Sequence, residues 1–292
     1  MSTDTATGII DFVVRPPAAG FQTSALYSDK PRIMRMTRDI GHASPPSYLN
    51  DSLDQCLAEM DAAGIRLGVV PGRQAGKRMG RVENAAVAAL AGSHPQRFAG
   101  MGSIDLERAD LLAQLDTVLA DARLRGAVIE PGAAERPLLA DDPVLRAAFG
   151  HCEDAGLPVQ LLIGGNSGPD LAFSDPVQID RLAARHPKLQ IVVVHGAWPW
   201  VTQILGVAYR RTNLWIVPDM YLQLPGTQLY VDACNGYLQD RFLFASAYPA
   251  LPFGAAVDFF RTLPIRPAVL PKLLHANAAR LLALKPGPLN PS

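Results

Sequence analysis

The sequence predicts an α/β protein of the (β/α)8 TIM-barrel class, a single domain over residues 1–292 with a long loop after its first strand. Three observations carry this expectation. Short apolar runs rich in β-branched residues alternate eight times with stretches of helical period, the pattern of a parallel sheet wrapped in helices. The chain has 292 residues, enough for one barrel, which takes about 250. No break in composition marks a second domain. The runner-up, a doubly wound open sheet, lacks its Gly-x-Gly-x-x-Gly after the first strand.

The first strand is read at residues 8–14, and Arg15-Pro16-Pro17 ends it because proline has no N–H to give a ladder. Residues 18–48 show no regular period and carry Arg32, Arg35, Arg38 and His42 among Pro31, Pro45 and Pro46. So long a segment is expected to be a functional loop or lid over the barrel mouth. A helix is predicted at 50–63, where Leu53, Leu57 and Met60 share a face and Gly64 supplies a left-handed cap. Strands follow at 66–70, 97–103, 125–130, 158–163, 191–194, 213–217 and 241–246. The intervening helices are placed at 82–91, 106–122, 143–155, 176–185 and 228–237, with 254–262 and 267–282 closing the chain. Asp142 is the N-cap expected for the helix at 143–155, and Gly156 its end. Gly164-Gly165-Asn166-Ser167-Gly168 lacks the Lys-Ser/Thr pair of a phosphate loop and reads as a flexible strand-to-helix connection.

Composition narrows the function. Hydrophobic residues make up 49% and charged residues 18%, which describes a core-rich globular chain. The 27 basic and 27 acidic residues balance, with no run of one sign, so neither nucleic acid nor an anionic membrane is an expected partner. Cys56, Cys152 and Cys234 are odd in number, far apart and in predicted helices, which argues against disulfides and against a cysteine metal cluster. No apolar run is long enough to span a membrane. Residues 1–8 are short and polar with no signal-peptide core, so a reducing cytoplasm is expected.

The most informative stretch is Ile191-Val192-Val193-Val194-His195-Gly196-Ala197-Trp198-Pro199-Trp200. A continuous apolar strand ends in a histidine, at the carboxyl end where α/β barrels place their chemistry. Other phrases accompany it in order: Ile9-Ile10-Asp11-Phe12, then Ala58 through Ile65, then His94-Pro95-Gln96-Arg97-Phe98-Ala99-Gly100. Asp240 through Pro249 and Ala276 through Leu282 complete the set. Together they resemble the amidohydrolase superfamily. The branch they are most similar to is the amidohydrolase-related group of aminocarboxymuconate-semialdehyde and resorcylate decarboxylases and pyrone-dicarboxylate lactonase.

The resemblance implies a barrel, and in most relatives a divalent metal. There the first strand ends His-x-His or Glu-x-His, the fifth strand ends in histidine, and the eighth carries aspartate just before Tyr-Pro. The matching positions here are Val13 and Arg15, Leu162 and Ala247, and only His195 of the set remains. A zinc-type site needs three or four N, O or S ligands, so no metal and no cofactor are expected.

His195 is the expected acid or base, its imidazole suited to proton transfer near neutral pH, against the alternative of a core histidine with one backbone partner. Glu130, ending the fourth strand, is read as a general base or as the partner that orients His195, or else as the salt-bridge partner of Arg15 or Arg125. Asp219 and Tyr221 follow the seventh strand at the correct end for a site. Asp219 is a base if buried near Arg15 and an ordinary loop aspartate otherwise. Arg15 offers a planar fork for a carboxylate or phosphate, with a salt bridge to Glu130 or Asp219 as the plain alternative. Trp198 and Trp200 suit a pocket wall, Ser246 and Tyr248 are placed to hydrogen-bond a ligand, and Arg35 with Arg32 and Arg38 to add positive potential over the mouth. His94, His151, His186 and His275 are expected to be structural.

The expected function is metal-independent hydrolysis of a small carboxylated, lactone-like or aromatic compound, with His195 in acid/base duty and Arg15 holding an anion. The alternatives are a metal-free decarboxylase or isomerase of the same superfamily, and a non-catalytic barrel that binds a small carboxylate or partners an active relative. Self-association is left open.

Overall fold

A computed structural model describes residues 8–284; the polar stretch 1–7 and the end of the chain after 284 lie outside the described residues. Strand β1 (Ile9–Asp11) opens the barrel and is followed by three short helices, α1 (Ala25–Ser28), α2 (Lys30–Asp39) and α3 (Pro46–Leu49). Helix α4 (Leu53–Ala62) leads to β2 (Ile65–Pro71), a small hairpin of β3 (Arg73–Gln74) and β4 (Arg81–Val82), then α5 (Asn84–Ser93) and β5 (Phe98–Ser103). The alternation continues with α6 (Leu111–Ala120), β6 (Leu124–Ile129), α7 (Arg146–Asp154), β7 (Val159–Leu162), α8 (Pro176–Arg185), β8 (Ile191–Val194), α9 (Val201–Arg210) and β9 (Leu214–Val217). Helices α10 (Gln228–Cys234), α11 (Phe253–Thr262) and α12 (Asn277–Leu281) complete the chain. Seven parallel strands run in the order β1-β2-β5-β6-β7-β8-β9 and curl into a TIM barrel.

The strands bury both faces, which is why they read as continuous apolar runs. Ile191 and Val193 pack outward against the helices, whereas Val192 and Val194 face the barrel interior with Val69, Met101, Val128 and Leu162. Helix α8 shows how the outer layer is fixed. Asp175 accepts a 2.9 Å hydrogen bond from Val177 N, Pro176 occupies the first turn, and Ile179, Leu182 and Ala183 bury one face. All three cysteines are buried and free. Among the described residues no helix is long and apolar enough to cross a membrane.

The eighth strand position differs from expectation. Residues 241–246 are extended but make only an isolated bridge, Phe242 to Ile216, with Leu243 N donating to Ile216 O at 3.0 Å. On the other side Phe12 N donates to Phe244 O (3.0 Å) and Arg15 N to Tyr248 O (3.1 Å). Between them a side chain replaces the ladder: Asp11 Oδ1 accepts from Ser246 N (3.0 Å) and from Val13 N (3.1 Å). A carboxylate taking two main-chain donors leaves no regular register for a strand, yet it still closes the barrel.

Asp11 is fully buried, and burial pushes its carboxyl up to about 7 against the pull of Ser246 and Val13. Its folded pKa lies above the unfolded value of about 3.9. The native state therefore holds the extra proton between about pH 4 and pH 7, and this residue's contribution to stability falls as pH rises through that window. Asp11→Asn is expected to flatten that fall. Urea midpoints at about pH 5 and about pH 8 check it: an equal drop in both proteins refutes the assignment.

The segment 18–48 is not the expected irregular loop. Asp29 accepts from Arg32 N, Pro31 sits in the first turn of α2, and Ile33 and Thr37 bury one face, Thr37 Oγ1 donating to Ala250 O at 2.9 Å. The helix is amphipathic, but it is only ten residues long and polar overall, and a proline that starts a helix resembles one that breaks it. Elsewhere the boundaries shift. The helix expected from 106 begins at Leu111, the one expected from 82 is preceded by β4, and the last is interrupted by a π turn at Lys272–Ala276.

Candidate active site

Three consecutive barrel strands end in a left-handed residue other than glycine. His195 follows β8 with φ 67°, Asp219 follows β9 with φ 45°, and Ala247 follows the eighth extended segment with φ 59°. Each costs about 1–3 kcal/mol of backbone strain, the kind of cost that functional sites retain. The turns aim His195 and Asp219 at one another: His195 Nδ1 lies 2.6 Å from Asp219 Oδ2, and the Asp219 side chain is fully buried. An ionised carboxylate only accepts, so the Nδ1 proton belongs to the imidazole, which leaves Nε2 as the second working nitrogen.

The glycines after β7 make room for this pair. A Cβ on Gly164 would lie 2.6 Å from His195 Cβ, and one on Gly165 would lie 3.1 Å from the Trp198 ring. The loop is held rather than loose at its start, since Gly164 N donates to Ser167 Oγ at 2.9 Å. Tyr221 packs 5.2 Å from the His195 ring and 5.6 Å from Trp198, and its hydroxyl accepts from Asn166 Nδ2 at 3.0 Å. Burial first, and the Asp219 charge next, push the Tyr221 phenol up to about 12, so it stays neutral. Trp198 donates to Pro225 O and, with Tyr221, forms an aromatic wall beside the histidine. Trp200 turns its ring nitrogen to Leu171 O.

Arg15 is 4% exposed and makes no salt bridge among the described residues, neither to Glu130 nor to Asp219. Its backbone is pinned, the N–H to Tyr248 O and the carbonyl by a 2.7 Å bond from Tyr27 OH. Its Nε and Nη2 are buried with no hydrogen-bond partner among the described residues. Burial, and then the neighbouring Arg73 charge, push this guanidinium down to about 9, although Glu130 and Asp219 pull the other way.

Glu130 has a different partner from the two expected. Arg73, in the short β3 that follows β2, donates through Nε (2.9 Å) and Nη2 (2.6 Å) to its two oxygens. Burial alone would raise the Glu130 carboxyl, but the charge and hydrogen bonds of Arg73, with Arg15 and His195 adding, hold it below the ordinary range. A carboxylate so held is a poor base, and Asp219, not Glu130, orients His195. Sequence reading missed Arg73. The available signal was Val69-Val70-Pro71-Gly72-Arg73, a basic residue just past the end of the second strand.

Three expected ligand contacts fall elsewhere. Ser246 is fully buried, and its Oγ accepts from Tyr248 N at 3.0 Å, so it ties the turn together. Tyr248 points into the outer layer, stacked on Phe253 at 4.3 Å with its hydroxyl 2.6 Å from Ser47 Oγ, because the left-handed turn at Ala247 rotates it off the interior. Tyr248→Phe is therefore expected to cost about 1 kcal/mol of stability and to leave turnover unchanged; a fall in kcat would contradict this placement. Arg35 is exposed on α2 and bonds no site residue. Of the other histidines, His42 meets Gln223 Oε1, His151 meets Asp116, His186 meets Glu153 and His275 meets Gly8 O, while His94 ends α5.

The residues at the superfamily's metal positions do not fit a metal. Val13, Leu162 and Ala247 are buried side chains without a donor atom, and Arg15 brings a fixed positive charge. His195 has already given Nδ1 to Asp219. Among the described residues no group of three or more His, Cys, Asp or Glu is arranged to hold an ion. Beside the site is a cavity of about 290 Å³, near the lower size for a small-ligand pocket. It meets the barrel end at Glu130, Leu162 and Asn166 and opens past the exposed Arg78 and Glu135. Arg15 and His195 are not among its walls.

The family model described as Amidohydrolase matches residues 39–284. No curated protein matches the chain significantly. Among solved structures, an uncharacterized TIM-barrel protein from Bordetella bronchiseptica is 43% identical, with a TM-score of 0.91 over 94% of this chain and 98% of that one. A dihydroxybenzoic acid decarboxylase from Polaromonas, with bound manganese and the inhibitor 2-nitroresorcinol, is 16% identical with a TM-score of 0.67, covering 97% of this chain and 99% of that one. A probable 2-pyrone-4,6-dicarboxylic acid hydrolase from Acinetobacter baumannii, with citric acid bound, is 12% identical with a TM-score of 0.66, covering 95% and 100%. The last two likenesses establish the shared barrel.

Proposed function

The chain belongs to the amidohydrolase family, and on that premise we propose that it is a metal-independent hydrolase of a small carboxylated, lactone-like or aromatic compound. The family supports an enzyme of hydrolase or decarboxylase chemistry. The observation that carries the finer reading is the His195–Asp219 contact together with a buried Arg15, on which the Asp219 charge acts but which makes no salt bridge among the described residues.

Asp219 holds the Nδ1–H, so Nε2 takes a proton from water as the water oxygen attacks the acyl carbon. The carbonyl electron pair moves onto oxygen, and Arg15 supplies the positive charge that steadies either that oxyanion or the substrate carboxylate. Collapse of the tetrahedral intermediate breaks the acyl C–O bond, and the proton on Nε2 passes to the departing oxygen. Trp198 and Tyr221 form the wall against which a planar compound lies. Decarboxylation is the second reading: a proton from solvent first charges Nε2, the C–CO2 bond breaks with its electron pair left on carbon, and that carbanion takes the proton from Nε2–H, which returns the imidazole to its neutral form.

The test is turnover of carboxylated six-membered lactones and aryl esters, with carboxylated phenols assayed for CO2 release. Hydrolysis is expected to survive exhaustive dialysis against chelator. Activity lost on chelation and restored by manganese overturns metal independence. Release of CO2 without hydrolysis selects the decarboxylase. Binding with no turnover of any substrate selects the non-catalytic barrel.

A further inference from the structure

Arg15 and Arg73 are near enough for their charges to act on each other, and they use the same edge differently. Arg73 gives its Nε and Nη2 to the two oxygens of Glu130. Arg15 has that same pair, Nε and Nη2, buried and without a partner among the described residues. These two N–H groups are parallel and spaced to match the oxygens of a planar carboxylate. Arg15 and Arg73 are each 4% exposed, so a charge here is poorly served by solvent. The pairing also settles the local charge. Glu130 bonds Arg73 and Asp219 bonds His195, so of the two arginines it is Arg15 that has no directly paired carboxylate among the described residues.

We propose that Arg15 receives a substrate carboxylate side-on through Nε and Nη2, and that Arg73 is a positioning residue that keeps Glu130 from occupying that edge. This rests on the reading of the site as a carboxylate-handling enzyme but fixes which atoms recognise the substrate and why a second arginine stands next to the first. A primary amide of the same shape is rejected, because its NH2 meets a donor where the carboxylate offers an acceptor. Arg15 and Glu130 act on each other's charge without touching, so a Glu130 released from Arg73 has a cation to turn to.

The test is calorimetric binding of benzoate and benzamide. The wild type is expected to bind benzoate more tightly than benzamide. Arg15→Lys, which keeps the charge but not the fork, is expected to weaken benzoate by about tenfold or more and to leave benzamide unchanged. Arg73→Lys cannot hold both Glu130 oxygens and is expected to lower benzoate affinity several-fold, whereas Arg73→Lys with Glu130→Gln recovers it. Thermal midpoints of each variant establish that folding is intact, and the benzoate-to-benzamide ratio separates recognition from general loosening. Equal affinity for the two probes in the wild type, including no measurable binding of either, overturns the proposal. So does an Arg15→Lys protein that binds benzoate like the wild type. Because binding is read without turnover, the two readings fail separately. A wild type that binds benzoate through Arg15 but hydrolyses nothing sinks only the hydrolase.

Discussion

Replacing His195 with glutamine is expected to lower turnover about 10²–10⁴-fold, the range that a positioned acid–base contributes, with little change in substrate affinity. Asp219→Asn is expected to fall in the same range. The asparagine can still meet Nδ1, but its Nδ2 donates where the carboxylate accepted, which permits the wrong tautomer and leaves the imidazolium formed in the transition state unsupported. The double variant is expected to be little worse than either single one, because two residues that act as one unit are lost once. Steady-state kinetics of the three proteins check this. Additive losses would mean that Asp219 acts apart from His195, and an active His195→Gln protein would remove the imidazole from the chemistry.

The largest effect on stability is expected at Arg73 and Glu130. Their side chains are 5% and 12% exposed and joined by two short hydrogen bonds, so truncating one member strands the other's charge in the interior. Glu130→Ala or Arg73→Ala is expected to cost about 3–5 kcal/mol. Arg73→Met with Glu130→Leu is expected to recover most of it, since replacing both charges by apolar groups of similar volume also removes the desolvation cost. The Glu130 carboxyl is held low, so the pair's contribution is present above the unfolded carboxyl value of about 4.3 and is lost as pH falls through the folded one. The acid limb of the stability curve should therefore be shallower in the double replacement. Chemical denaturation across pH reads both effects, and single variants no less stable than the double would show that the pair does not behave as a buried one.

Sequence patterning identified the barrel because its strands are buried on both faces. Ile191–Val194 was legible residue by residue, as was α8 with its proline start, and Arg15 and His195 were legible as candidates from their places at strand ends. The helix α2 was not: its amphipathic face was present, but Pro31 at its start resembles a helix breaker, and what that face packs on, such as Ala250 for Thr37, is distant in the chain.

What the sequence alone determined was an alternating α/β chain of the amidohydrolase kind, with valine, leucine and alanine where a cation would need donors. Such features follow from residue type and from short-range period. Only the tertiary structure decided the pairings. It joined Asp219 to His195 across 24 residues and Arg73 to Glu130 across 57, and it left one edge of Arg15 without a hydrogen-bond partner among the described residues. It also turned Ser246 and Tyr248 away from the interior. Charge pairing and side-chain direction depend on backbone turns at three separate strand ends, whose geometry no local spacing in the chain specifies.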